Sequence, residues 1–433
     1  MSSSRAHQPL FVLKQHCSAV STCALDGQGV FANFLLSGDV DGIVRLWDLE
    51  LREALFSFHP VQTVRGSTKM VTEGSFSSSA GDGVLQVGFL SFTEAVADSA
   101  ETTEVWFYTQ CRNQQLYVWK IRLCDFDSGF GGEECGLETE KFVELLHTID
   151  VPQHGFCPVP SVCSSPTKFL LAVPHDSNGI VSLWDVCLIS RTPLSCEGLK
   201  VNCSRSFSAA GTLAKCGTIM CISFRDSTHI AVAFESGNVS LNSTCGLQLA
   251  IIRAFAETAV ACVWSGAALL VTSAEGRLQC YTVVESTAET RDDAGSATVT
   301  NISLVLRWEV TLSKGLGCVA LQRHLVVVGS WDHTLRLFDE GSGRVISILT
   351  FHNSTVNSVA MPPDNVAGCA LFGYDVRRPR WCDGGTVSCS GKQSTNDQKD
   401  KDVYLFASAG GDYAVAVWRV DFKTLTALSR DTL

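Results

Sequence analysis

Residues 329–339 read "GSWDHTLRLFD": a polar turn residue, Asp332, is followed six positions later by an aromatic, Phe338, at the end of an alternating run. Alternation of apolar and polar residues over this length marks a β-strand, and the polar cluster before it marks a turn. The same pattern recurs along the chain. It appears as "SGDVDGIVRLWD" (Asp41, Trp47), "CRNQQLYVWK" (Asn113, Trp119), "DSNGIVSLWD" (Asn178, Trp184) and "AEGRLQCYT" (Glu275, Tyr281). A copy without its aromatic is "ESGNVSLNS" (Ser236, Asn242), and the last copy is "GGDYAVAVWR" (Asp412, Trp418). With the opening stretch these make seven.

An apolar run precedes each turn, for example "NFLLSGD", "HIAVAFE", "HLVVVGS" and "VYLFASA". Continuous apolar runs suit strands buried on both faces. Further upstream lie "AVSTCAL", "TIMCISF", "AVACVWS", "GLGCVAL" and "TVNSVAM", small and β-branched residues suited to a crowded centre. Helical periodicity is absent over comparable lengths, so the chain is expected to be all-β. A self-similar unit built on a marked strand calls for a propeller, here with seven blades and markers near Trp47, Trp119, Trp184, Asn242, Tyr281, Phe338 and Trp418.

Marker spacings of 72, 65, 58, 39, 57 and 80 residues mostly exceed the roughly 40–45 residues of a four-stranded blade. The excess falls at 60–83, 121–141, 188–215, 286–303 and 364–402, where Ser, Thr, Gly and charged residues accumulate. These segments are read as loop insertions, with 364–402 expected to be mobile. The propeller is expected to span 9–421, between short tails at 1–8 and 422–433. The orphan run "PLFVLKQH" at 9–16 matches "VISILTFH" ahead of the last blade. It is expected to pair with the last blade as its outer strand, closing the ring without a free seam.

Hydrophobic residues make up 45% of the 433 and charged residues 18%, enough for a large core. A net charge of −11 argues against general nucleic-acid binding, which rests on phosphate neutralisation. The nineteen cysteines include no C-x-x-C pair, so no zinc knuckle is read, and reduced thiols in a nuclear or cytoplasmic protein are expected. No apolar run reaches the length of a membrane span, and no secretory h-region stands near the N-terminus. G-x-S-x-G, P-loop, Rossmann and H-E-x-x-H motifs are all absent. Neither a catalytic residue, a metal nor a cofactor is expected, and the partners expected are other proteins.

The repeats resemble those of WD40 propellers. That resemblance implies a buried relay in which the turn acid holds a His from the preceding loop, and the His contacts a strand hydroxyl and the Trp indole. Such a network is favourable only when fully satisfied. In the first blade the relay would be His16, Ser37, Asp41 and Trp47; in the last, His352, Ser408, Asp412 and Trp418. The second would use His59, Thr109, Asn113 and Trp119, and the sixth would use Asp332 as its latch. The fourth, without aromatic or acid, is expected to rely on packing alone.

Within this superfamily the chain is similar to the G-protein beta-subunit-like protein 1 / ASTRA-associated protein 1 family. The resemblance is carried by "FVLKQHCSAVSTCAL", "LLSGDVDGIVRLWDL", "GSWDHTLRLFDEGSGRVISILTFHNSTVNSVAM" and "FASAGGDYAVAVWRV". It implies a non-enzymatic scaffold, a monomeric propeller within a larger assembly. The implied setting is the co-chaperone machinery that matures phosphatidylinositol-3-kinase-like kinases, or a chromatin-linked complex. A histone-tail reader and a ubiquitin-ligase substrate receptor are the alternatives. The latter commonly carries W-D-x-R, where this chain reads "WDLE", "WDVC" and "FDEG". Trp331 and His333, flanking Asp332, are candidate partner contacts, as are Arg377, Arg378, Arg380 and Trp381 in the basic "DVRRPRW" stretch.

Overall fold

The residue that follows each turn marker sets the hairpins. In all seven copies it has a left-handed backbone: Gly42 (φ 94°), Gln114 (64°), Gly179 (61°), Gly237 (80°), Gly276 (91°), His333 (72°) and Tyr413 (66°). A positive φ at this point folds the chain back tightly, so each described marker sits at a β-hairpin turn. The computed structural model describes residues 8–25, 33–65, 82–91, 102–124, 143–152, 156–175, 179–189, 198–211, 215–292, 295–362 and 403–422.

The first strand, β1 (Phe11–Leu13), stands apart from the blade it precedes. Blade 1 comprises β2 (Val20–Leu25), β3 (Phe34–Asp39), β4 (Val44–Asp48) and β5 (Glu53–Phe58), followed by the one-turn helix α1 (Pro60–Val64). Blade 2 is β6 (Val84–Phe89), β7 (Thr102–Cys111), β8 (Gln115–Cys124) and β9 (Val143–Asp150). Blade 3 is β10 (Ser161–Ser165), β11 (Lys168–Pro174), β12 (Ile180–Ile189) and β13 (Gly198–Ser208). Blade 4 is β14 (Ile219–Phe224), β15 (His229–Phe234), β16 (Asn238–Ser243) and β17 (Gln248–Arg253). Blade 5 is β18 (Ala259–Ser265), β19 (Ala268–Ser273), β20 (Arg277–Asp292) and β21 (Gly295–Thr311). Blade 6 is β22 (Leu316–Gln322), β23 (Leu325–Ser330), β24 (Leu335–Asp339) and β25 (Val345–Leu349). Blade 7 joins β26 (Val356–Ala360), β27 (Val403–Gly410) and β28 (Val415–Asp421) to β1.

Every sheet is antiparallel and four-stranded, and together they form a seven-bladed β-propeller. The ring closes as the orphan run implied: β1 pairs with β28, Phe11 opposite Val417 and Leu13 opposite Val415. The marker residues hold one register, with Leu35 opposite Trp47, Phe107 opposite Trp119, Ile230 opposite Asn242, Leu269 opposite Tyr281, Val326 opposite Phe338 and Phe406 opposite Trp418. Blade 3 departs by one residue, since Leu171 faces Trp184.

Seven apolar clusters fill the seven gaps between neighbouring blades. Between blades 7 and 1, Phe11, Val417 and Leu405 pack with Leu35 and Trp47. Between blades 1 and 2, Leu46 and Phe58 pack with Phe107 and Trp119. The remaining clusters repeat this around the ring. Burying each large side chain contributes on the order of 2–3 kcal/mol, so the core is a ring of interfaces.

Two of the five expected insertions are corrected. Segment 188–215 contains β13, the outer strand of blade 3, and 286–303 lies within the long β20–β21 hairpin, paired from Arg277–Thr311 to Asp292–Gly295. Ser, Thr and Glu made these segments look like loops, yet apolar and polar residues alternate in "LKVN" of β13, and Thr and Val alternate in "TVT" of β21, where β-branched residues fit a pleated surface. Segment 364–402, with Arg377, Arg378, Arg380 and Trp381, lies outside the described residues.

Candidate protein-interaction face

In four-stranded antiparallel blades, the hairpin turns that carry the markers lie at the same end as the connections from each outer strand to the next inner strand. That end surrounds the mouth of a central channel of about 670 Å³ lined by the inner strands. What the relays do there differs from blade to blade.

In blade 7 the expected relay is complete. His352 Nδ1 lies 2.9 Å from Asp412 Oδ1, His352 Nε2 lies 2.8 Å from Ser408 Oγ, and the Trp418 indole donates to the same hydroxyl at 2.9 Å. Burial opposes ionisation of Asp412, but the hydrogen bond and charge of His352 outweigh it and hold its carboxyl below the ordinary range. Blade 1 repeats the geometry with a different acid. His16 Nδ1 lies 2.7 Å from Asp39 Oδ2, His16 Nε2 lies 2.7 Å from Ser37 Oγ, and Trp47 donates to Ser37 at 2.7 Å. Asp39 replaces the expected Asp41, because Asp39 ends β3 and is only 2% exposed. Its other oxygen accepts from the Asp41 and Ile43 backbone N–H groups, closing the turn. Burial lowers the pKa of His16 against the raising effect of Asp39, so the ring is neutral with its proton directed at Asp39.

Blade 2 keeps half of the relay. Trp119 donates to Thr109 at 2.9 Å. His59, however, is the N-cap of α1, where its Nδ1 accepts from Gln62 N, and Asn113 turns to Tyr117 and Gln115. Strand pairing explains the correction. His16 and His352 both lie three residues past the last paired residue of the preceding outer strand, Leu13 and Leu349. Three residues past Phe58 comes Val61, which is buried among the apolar residues between blades 1 and 2.

Blade 6 has no polar relay, which corrects the reading of Asp332. The positions matching Ser37 and Trp47 hold Val328 and Phe338, both packed in the cluster between blades 5 and 6, and three residues past Thr311 comes Lys314, which is exposed. Asp332 instead grips its own hairpin. It receives Arg336 Nη2 at 2.6 Å and the Thr334 hydroxyl at 2.6 Å. Burial raises its pKa, but these donors outweigh that and hold the carboxyl far below its usual range. In blade 4, Asn242 is fully buried and donates to Ser240 at 2.9 Å, so a short polar contact accompanies the packing.

The relays and turns deliver side chains to the channel mouth. Trp331 is 44% exposed and lies flat over its own inner strand, close to Gly315 and Gly317. A Cβ at Gly315 would come within 2.2 Å of the ring, so a glycine is required there. His333 is exposed beside it. Tyr413, 50% exposed, follows the His352-held Asp412. Phe156 is 67% exposed on the connection into blade 3 and lies under the Arg112 guanidinium at 5.4 Å. Gln110 clamps that connection, donating to Cys157 O at 3.0 Å and accepting from Val159 N at 2.8 Å.

Tyr413, Phe156 and Arg112 were not singled out from the sequence. Tyr413 was findable, since it occupies the position after the marker that His333 also occupies. Phe156 had no local signal. Among the described residues no group of three or more His, Cys, Asp or Glu side chains could hold a metal ion, and no helix is long and apolar enough to cross a membrane.

Residues 7–48 match the family model described as "WD domain, G-beta repeat". The match covers one part of a chain whose described residues form seven four-stranded blades, a β-propeller. The matched segment holds the closing strand and the complete relay of blade 1. No curated protein matches the chain. Among solved structures it is similar to the crystal structure of the computationally designed Ika8 protein, at 13% identity and a TM-score of 0.48, covering 95% of this chain and 100% of that one.

Proposed function

We propose that this protein is a non-enzymatic scaffold that engages a partner protein through the turn-bearing face, on the arc of blades 6, 7, 1 and 2. One observation carries the reading: Trp331 and Phe156 are both exposed along the channel, and Tyr413 is exposed at the marker turn of blade 7 on the same face. Exposed aromatic residues beside a concavity are the side chains that most often dominate interfaces. Blades 2, 6 and 7 also place Gln114, His333 and Tyr413 at the left-handed position that is glycine in the other four blades. A side chain there costs about 1 kcal/mol relative to glycine.

For the partner, the likeness of the blade 6 to blade 7 segment to the ASTRA-associated protein 1 family supports the kinase-maturation co-chaperones or a chromatin-linked complex, in the nucleus and/or cytoplasm. A histone-tail reader or ubiquitin-ligase substrate receptor is the competing reading. The test is purification of the tagged full chain beside Trp331→Ala/Tyr413→Ala and a Leu51→Ala control on the opposite face. Kinase-maturation co-chaperones that follow the wild type and the control, but not the double variant, are expected. Equal recovery with all three would remove the face assignment. Recovery of histones alone, or of cullin adaptors alone, would remove the pathway.

A further inference from the structure

The channel wall is rich in sulfur: Cys23, Cys221, Cys262 and Cys318 all line it, each on a different inner strand. Cys221 of β14 and Cys262 of β18 lie on neighbouring blades. Cys221 Sγ is 3.4 Å from Cys262 N and 3.7 Å from Cys262 O, so the two cysteines lie side by side across the blade boundary. The pseudo-sevenfold repeat places the same contact at the ring closure. There Ser358 of β26 meets Cys23 of β2, with Ser358 Oγ 3.2 Å from Cys23 N and 3.7 Å from Cys23 Sγ. One sulfur at that seam has become a hydroxyl, so only the blade 4 to blade 5 interface holds two sulfurs in this arrangement among these four.

We propose that Cys221 and Cys262 form a dithiol oxidation site, which a small peroxide entering the channel converts to a disulfide joining blades 4 and 5. The Cys221 thiolate attacks one peroxide oxygen, the O–O bond breaks, and hydroxide leaves, giving a sulfenic acid at Cys221. Cys262, deprotonated by that hydroxide, attacks the Cys221 sulfur and expels the sulfenic oxygen as a second hydroxide. That hydroxide takes up the proton released when Cys221 first ionised. The balance is two thiols and one hydrogen peroxide to one disulfide and two waters, with sulfur oxidised and peroxide reduced by two electrons.

The surroundings favour this order of events. The neighbouring Cys262 favours ionisation of Cys221 over the opposing effect of burial. The adjacent Cys221, reinforced by burial, holds the Cys262 thiol protonated until its partner has reacted. The channel, of about 670 Å³, admits a molecule the size of hydrogen peroxide. Exposed thiols at Cys17, Cys163, Cys203 and Cys245 have no such partner thiol among the described residues.

The experiment treats the full-length, reduced protein with hydrogen peroxide, blocks remaining thiols with an alkylating agent, and maps disulfide-linked peptides by mass spectrometry without reduction. A Cys221–Cys262 crosslink that forms before any other, and an unfolding midpoint that rises by a few degrees and returns with dithiothreitol, are expected. Cys221→Ser and Cys262→Ser should each abolish both effects. Cys221 and Cys262 remaining fully alkylatable after unfolding, while only exposed cysteines are oxidised, would overturn the proposal. So would a crosslink between any other pair that forms first. The wild-type measurement stands alone if either variant fails to fold.

Discussion

Blades 7 and 1 are latched by hydrogen bonds, whereas blade 6 has apolar contact at two of the three relay positions. In the first pair, His352, Ser408 and Trp418, and His16, Ser37 and Trp47, form directional chains. In blade 6, Val328 and Phe338 stand at the hydroxyl and indole positions without polar atoms. The polar version surrounds the seam, where β1 must find β28 with no covalent turn between them. Hydrogen bonds fix both angle and distance, and so specify a register, while apolar contact mainly fills volume. Where a short turn already dictates pairing, filling volume is sufficient.

Exchanging chemistry between the two kinds of blade tests this most sharply. Ser37→Ala removes the acceptor of Trp47 and the donor to His16, both deeply buried, and should cost about 2–4 kcal/mol. Val328→Ser puts an unpartnered hydroxyl among apolar residues and should cost a similar amount, roughly 2–3 kcal/mol. Chemical denaturation measures both, and a neutral Val328→Ser would erase the distinction between the blades.

Acid should separate the seam from the rest of the ring. Burial holds the His16 pKa below its ordinary 6.5, so the unfolded chain takes up the proton more readily than the folded one. The stability that this group contributes is therefore complete above pH 6.5 and declines as the pH falls below it. Asp412, held below 3.8, adds stability that is lost only at still lower pH. His16→Gln should be less stable at neutral pH and show a shallower decline in unfolding midpoint between neutral pH and about pH 5. An unchanged slope would mean that His16 is not the group titrating.

Smaller effects belong to the hairpin of blade 6. Asp332→Ala removes an intra-hairpin ion pair and should cost at most about 1 kcal/mol, less than loss of a seam relay. His333→Gly relieves a left-handed backbone and should stabilise by about 0.5–1 kcal/mol while weakening partner capture. Gain of stability without loss of capture would restrict the interaction arc to Trp331 and Tyr413.

The propeller was legible because an aromatic six residues after a turn is a register, and register repeats even where side-chain chemistry does not. All seven marked strands follow from it, Asn242 included. The relay partners were less legible because they depend on strand ends. Asp39 and Asp41 are both acidic and two residues apart, and only the end of β3 selects between them. "SFH" and "TFH" look alike, yet His352 lies three residues past its strand pairing and His59 only one past Phe58. Polar composition disguised β13 and the outer half of the β20–β21 hairpin. Phe156 reaches the face through a clamp from Gln110, a contact 49 residues away in the chain that no local pattern encodes.

The pairing of Phe11 with Val417 also sets an order of events during synthesis. Of the strands of this ring, β1 is made first and placed last, because its partner β28 follows all the others. Until β28 emerges, six blades form an open arc with an exposed sheet at each end, a state prone to wrong pairing and slow to close. The ring therefore depends longest on whatever shields those two open edges while the final blade is being made.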